Sequence, residues 1–170
     1  MCGIAGQVSL NKQPITSINH SLDVMSSLIS HRGPDGNDKW ISKSRKVGFS
    51  HRRLAIIDLS QSASQPMQAQ NNNVITYNGE IYNYRELRSA LKQYWNFRTQ
   101  SDTECILAAY DKNGDNCLDY LRGMFSFALW DEKRQRLFCA RDRFGIKPFY
   151  YAVIDEAFYF ASELALLPFL

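Results

Sequence analysis

The 170-residue sequence predicts one α+β domain built as two stacked antiparallel sheets with helices outside them. Three observations lead there. The elements run strand, helix, several strands, two helices and then a series of antiparallel strands, rather than alternating strand with helix. One sheet carrying all these strands would leave an apolar face in water, so a second sheet must cover it. And 45% hydrophobic residues, 13% aromatic, supply one sizeable core at this length.

The elements follow in order. Gly3 to Leu10 reads as a first strand, rich in small residues that would leave room for a ligand beside Cys2. Asn11 to Pro14 is a turn. From Ser17, a candidate N-cap, Ile18, Leu22, Met25, Leu28 and Ile29 recur at helical spacing. The helix stops before His31-Arg32-Gly33-Pro34-Asp35-Gly36, a loop rich in breakers. Val47 to Asp58 reads as a strand with a long apolar end, and Asp58 to Met67 as polar turns. Val74 to Tyr77 is a short strand running into Asn78-Gly79-Glu80, where Asn-Gly is also an ordinary hairpin-turn signal. Tyr84 to Tyr94 is a second helix with Leu87 and Leu91 on one face. Asp102 opens a third, through Ile106, Leu107 and Tyr110 to Gly114, and could be its N-cap. Met124 to Trp130 is a buried strand, and Arg136 to Ala140 returns beside it after a charged turn. Phe149 to Val153 and Phe158 to Ala161 form a last hairpin around Asp155-Glu156. There is no internal repeat, linker or low-complexity segment.

Composition excludes several classes. A net charge of +3 without a long basic run argues against a nucleic-acid partner. Lys43 to Lys46 reads as a solvated turn. No apolar run approaches the ~20 residues that span a bilayer. Cys2, Cys105, Cys117 and Cys139 include no Cys-x-x-Cys pair, so no metal site is expected. The first residues lack a secretory pattern, so free thiols in a cytoplasmic protein are expected.

Chemistry concentrates at the start. If Met1 is removed, Cys2 carries both a thiol nucleophile and a free α-amine able to serve as its base. Further along, in order, stand His31 to Gly36, His51-Arg52-Arg53-Leu54, Asn78-Gly79-Glu80-Ile81-Tyr82-Asn83 and Ser101-Asp102-Thr103-Glu104. With Met1-Cys2-Gly3-Ile4 they resemble the glutaminase domain of the class II glutamine amidotransferases, in the asparagine synthetase branch. The resemblance runs from Met1 to about Glu163 and implies a four-layer αββα sandwich of the N-terminal-nucleophile hydrolase type.

It also implies roles. Cys2 attacks the side-chain carbonyl of L-glutamine and forms a thioester while its amine passes the proton to departing ammonia. Asn78 and Gly79 match the family's oxyanion donors. Arg53, rather than its neighbour Arg52, matches the residue that grips the α-carboxylate, a task suited to a guanidinium. Backbone groups of Leu54, Ile56 and Ile57 line the same pocket. Glu80 and Asp102 match the residues facing the α-ammonium. His31, Arg32 and Asp35 are expected to buttress the nucleophile loop, and His51 to pack in its strand. Arg141 to Pro148 reads as a salt-bridged turn.

Family enzymes pass the ammonia to an ATP-dependent synthetase domain. No Ser-Gly-Gly-x-Asp-Ser pyrophosphate loop occurs here, so residues 1–170 read as a single glutaminase domain. ATP and magnesium are expected only in a synthetase domain or subunit that serves as partner; a homodimer stays open. A non-catalytic glutamine-binding module and a papain-like hydrolase using a Cys–His pair are the competing classes.

Overall fold

The computed structural model describes residues 1–169, with side chains through Leu166. Among these residues the strands are β1 (Gly3–Ser9), β2 (Gly36–Ile41), β3 (Val47–Arg53), β4 (Met67–Gln68), β5 (Val74–Ile81), β6 (Gly123–Asp131), β7 (Arg136–Arg141), β8 (Tyr150–Ile154) and β9 (Ala157–Ala161). The helices are α1 (Ile18–Leu28), α2 (Tyr84–Leu91) and α3 (Asp102–Asn113). One antiparallel sheet has the order β2-β3-β1-β9-β8 and the other β4-β5-β6-β7.

Side-chain alternation makes the layers. Along β1, Ile4 and Val8 join Val47, Phe49, Ala128, Trp130 and Phe160 in a core between the sheets. Ala5, on the opposite face, packs with Ile18, Leu22, Met25 and Ile29 of the α1 layer. Along β5, Val74 faces the first sheet, whereas Ile75, Tyr77 and Ile81 face α2 and α3. Two sheets stacked between two helical layers are the expected αββα sandwich.

The structure departs from the expected elements in several places. The strand expected from Val47 to Asp58 ends at Arg53, and Leu54 to Asp58 leave the sheet as a loop. Asn78-Gly79 is no turn: both lie inside β5, opposite Ser126 and Phe125 of β6. The edge strand β2 was missed because Asn37, Asp38 and Lys39 lack an apolar alternation, as is usual for a protected edge. The two-residue β4 was missed for its length. The second helix ends at Leu91 rather than Tyr94. Ser17 occupies the N-cap position of α1 without a side-chain cap bond, and Leu28 is exposed. Asp102 is the first residue of α3; the cap is Ser101, whose hydroxyl accepts from Glu104 N–H. The small residues of β1 do not leave open room. A Cβ on Gly3 would stand 3.0 Å from Ile29, and one on Gly6 would overlap Phe160 and the Gly48 carbonyl.

The turn after β7 also differs from its expected salt-bridged form. The buried Asp142 carboxylate accepts backbone N–H groups of Phe125, Phe144, Ile146 and Lys147 at 2.9–3.2 Å. Burial works to raise this carboxyl, but the four donors together hold it below the usual range. Asp142→Ala should therefore destabilise the fold by about 2–4 kcal/mol, because it strands several buried donors. A urea midpoint within error of the parent chain would refute this. The contribution is present above the ordinary carboxylate range and should fade as pH falls through the lowered one.

Candidate active site

The sheet register gathers the site. Because β1 runs antiparallel to β3, with Gly3 opposite Arg52, the start of β1 lies beside the end of β3. Because β5 runs antiparallel to β6, Glu80 lies opposite Met124. Both pairs of strand ends open at one end of the sandwich, and the N-terminus of α3 closes the third side. The cavity of about 230 Å³ between them is lined by Cys2, Arg53, Asn78, Gly79, Glu80 and Asp102, together with Leu54, Ile56 and Ile57. All nine residues singled out from the sequence thus meet in one pocket.

Cys2 is held from two sides. Leu54 N–H approaches its Sγ at 3.3 Å, and the Leu54 carbonyl lies 3.5 Å from the sulfur. Arg32 Nε donates to the Cys2 carbonyl at 3.0 Å, while its Nη1 pairs with Glu163 at 3.0 Å. Burial pushes the thiol above its ordinary range, and the Leu54 N–H and the positive chain terminus only partly offset this. The sulfur therefore holds its proton at neutral pH and needs a base.

The His31–Gly36 segment does the expected buttressing. Asp35 accepts from Ala55 N–H at 2.9 Å, and His31 pairs with Glu163. Gly33 packs so closely that a Cβ would fall 2.4 Å from the Arg52 carbonyl carbon. No histidine lines the pocket. His51 is buried between the sheets against the Tyr77 carbonyl, and burial lowers it to about 4, so it stays neutral. This removes the Cys–His pair.

Asn78 is 1% exposed, and its Nδ2 has no hydrogen-bond partner among the described residues. An orphaned buried amide donor is costly, and it stands at the wall of the cavity holding Cys2. Gly79 is glycine for a concrete reason: a Cβ there would lie 2.3 Å from the Met124 carbonyl oxygen of β6.

The far end of the cavity carries charge. Arg53 is nearly buried and donates to the Asp58 carbonyl, while Asp58 itself accepts from Gln100 N–H at 2.7 Å. These bonds fold the Leu54–Asp58 loop over the pocket towards α3. Arg52 points the other way, donating to the Ser26 carbonyl of α1 at 3.0 Å. Asp102 accepts from Tyr77 hydroxyl at 2.7 Å and Ile81 N–H at 3.0 Å. Burial raises its carboxyl, against the opposing pull of those two donors.

The glutamine amidotransferase domain family matches the chain over residues 1–169. The chain belongs to that family. Asparagine synthetase [glutamine-hydrolyzing] 3 of Bacillus subtilis (strain 168) is 42% identical over 168 residues, covering 96% of this chain and 27% of that relative. Amidase chry2 of Gibberella zeae is 40% identical over 177 residues, covering 96% and 26%. The chain thus spans about a quarter of the length of these curated relatives. Among solved structures, glutamine phosphoribosylpyrophosphate amidotransferase from B. subtilis superposes with a TM-score of 0.82 at 20% identity, over 98% of this chain and 43% of that one. At that identity the likeness speaks for the fold alone.

The amidotransferase domain adds pocket residues that the sequence reading missed. Gln65 is buried, accepts from Tyr77 N–H at 2.7 Å and donates to Thr103 Oγ1 at 3.2 Å, tying β5 to α3. Met124 and Lys147 also line the pocket. Gln65 had no motif around it. Lys147 lay in a segment read as a salt-bridged turn. The other three thiols, Cys105, Cys117 and Cys139, are pushed up to about 12 by burial. No helix among the described residues is long and apolar enough to cross a membrane.

Proposed function

We propose that this domain, once Met1 is removed, hydrolyses L-glutamine to L-glutamate and ammonia at Cys2 through a thioester. The observation that carries the reading is the buried, unpartnered Asn78 amide at the wall of the pocket that holds Cys2. An oxyanion forming on the substrate carbonyl would satisfy this donor, and the thiol that would create that charge lines the same pocket. The free amine of Cys2, with an ordinary value of about 7.7–8.0, takes the thiol proton as sulfur bonds to carbon. It returns that proton to the nitrogen as the C–N bond breaks. Water then hydrolyses the thioester.

The α-carboxylate of glutamine faces Arg53, and the α-ammonium faces Glu80 and Asp102. The chemistry needs no metal or nucleotide in this domain, since nucleophile and base share one residue. ATP and magnesium belong to a synthetase domain or subunit that consumes the ammonia. Aspartate amidation is the default acceptor reaction, because relatives at about 40% identity are named as glutamine-hydrolysing asparagine synthetases. The test is ammonia release from glutamine by the processed chain with a chelator present and no ATP; a strict need for a divalent metal or for ATP would refute the reading.

Arg53→Ala should raise KM for glutamine by about 10–100-fold and change kcat much less. Arg53 holds the end of the substrate that does not react, so it binds ground and transition states alike. A pure kcat defect would contradict the assignment.

A further inference from the structure

Lys147 is buried, at 7% exposure, in the wall of the Cys2 pocket. Its backbone N–H is pinned by Asp142, and its carbonyl accepts from Arg141 Nε. Its ammonium has no carboxylate partner among the described residues. Its one recorded contact is the thioether of Met1, at 3.4 Å. Removal of Met1 takes that contact away and frees the α-amine of Cys2. Covalent geometry keeps a Met1 sulfur within about 6.5 Å of the Cys2 nitrogen, so the ammonium stands within about 10 Å of it.

We propose that Lys147 is a positioning residue of this reaction, its ammonium holding the α-amine of Cys2 in the free-base form at neutral pH. This rests on the glutaminase reading above. An amine already protonated cannot take the thiol proton, so the reaction cannot start from that form. The other charges around Cys2 do not secure the free base. Arg32, from the turn after α1, is paired with Glu163. Asp102 of α3 and Glu80 of β5 are carboxylates, which favour the protonated amine, and Arg53 of β3 alone opposes them. Tyr77 of β5 is buried against Asp102 and stays protonated. Lys147 supplies the second positive charge, from the wall of the pocket that holds Cys2.

A unit charge about 10 Å away at an effective dielectric of about 20 moves an amine by about one pH unit. The experiment compares the processed parent chain with Lys147→Met, Lys147→Gln and Lys147→Arg. Two pH profiles are read: kcat/KM for glutamine, and the rate of Cys2 alkylation by iodoacetamide. In the Met and Gln variants the acid limb of both should move up by about one unit, a loss of about tenfold near pH 6.5 that shrinks above pH 8.5. Arg should restore the parent profile. Unmoved profiles in the Met and Gln variants, or an equal loss at every pH, overturn the proposal. If the parent chain releases no ammonia, the glutaminase reading fails, yet the alkylation profiles still decide the role of Lys147. A Met variant that does not fold leaves the decision to Gln and Arg.

Discussion

Cys2→Ala is expected to abolish ammonia release, with a loss in turnover on the order of 10⁴–10⁶-fold, the scale seen when a nucleophile is removed. The reason is that no second nucleophile is available. The thiols of Cys105, Cys117 and Cys139 are buried and pushed up to about 12, and none lines the pocket. Glutamine affinity should survive, because Arg53, Glu80 and Asp102 are untouched. Calorimetric titration of the variant with glutamine checks this directly. Cys2→Ser should be nearly as inactive, since a hydroxyl gives up its proton to an amine far less readily than a thiol of ordinary value about 8.5. A diazoketone analogue of glutamine should label Cys2 alone in the parent chain. Peptide mapping that places the label on another cysteine would remove Cys2 from the mechanism.

Asn78→Ala should lower kcat by roughly 10²–10³-fold, the usual loss for one oxyanion donor, and leave KM nearly unchanged. The interaction grows only as charge develops on the substrate oxygen, so it contributes to the transition state and little to the ground state. The structure adds a second readout. Asn78 Nδ2 has no partner in the folded protein, so its removal breaks no hydrogen bond, and the melting temperature should not fall. Asn78→Asp should be at least as inactive as Ala, because it sets a carboxylate against a forming negative charge. A turn residue would tolerate Asp, but Asn78 lies within β5 opposite Ser126. A fully active Asp variant would mean that the oxyanion is bound elsewhere. A collapse in stability would mean that the amide serves the fold.

What could be read along the chain were the groups whose chemistry is carried by residue type and order. A thiol one residue from the N-terminus, an arginine, an Asn-Gly pair and two acids are each weak alone and become specific as an ordered set with compatible spacing. The helices α1 and α3 were legible from spacing, since Ile18, Leu22 and Met25 repeat with the helical period. The core strands were legible from apolar runs, and the order of elements led to α+β.

Local pattern failed where a partner from far along the chain decides. Asn-Gly carries a strong turn propensity, but eight consecutive pairings with β6 outweigh it, and the Met124 carbonyl leaves room for glycine alone at position 79. Leu54 to Ile57 read as strand because they are apolar. They leave the sheet because Asp35 takes Ala55 N–H and Asp58 is drawn to Gln100, contacts 20 and 42 residues apart. Arg141–Pro148 read as salt-bridged, but its acid accepts from three backbone donors of its own turn and from Phe125 N–H, which the packing of β6 beside β7 brings to it.

Residue type and order by themselves pointed to the family, and through it to the proposed nucleophile and substrate-facing charges. Only the tertiary structure decided that the Asn78 amide is left without a partner among the described residues and that Lys147 lines the pocket of Cys2. Both depend on backbone segments separated by tens of residues, and nothing in a local stretch records which distant carbonyl or carboxylate will arrive beside it.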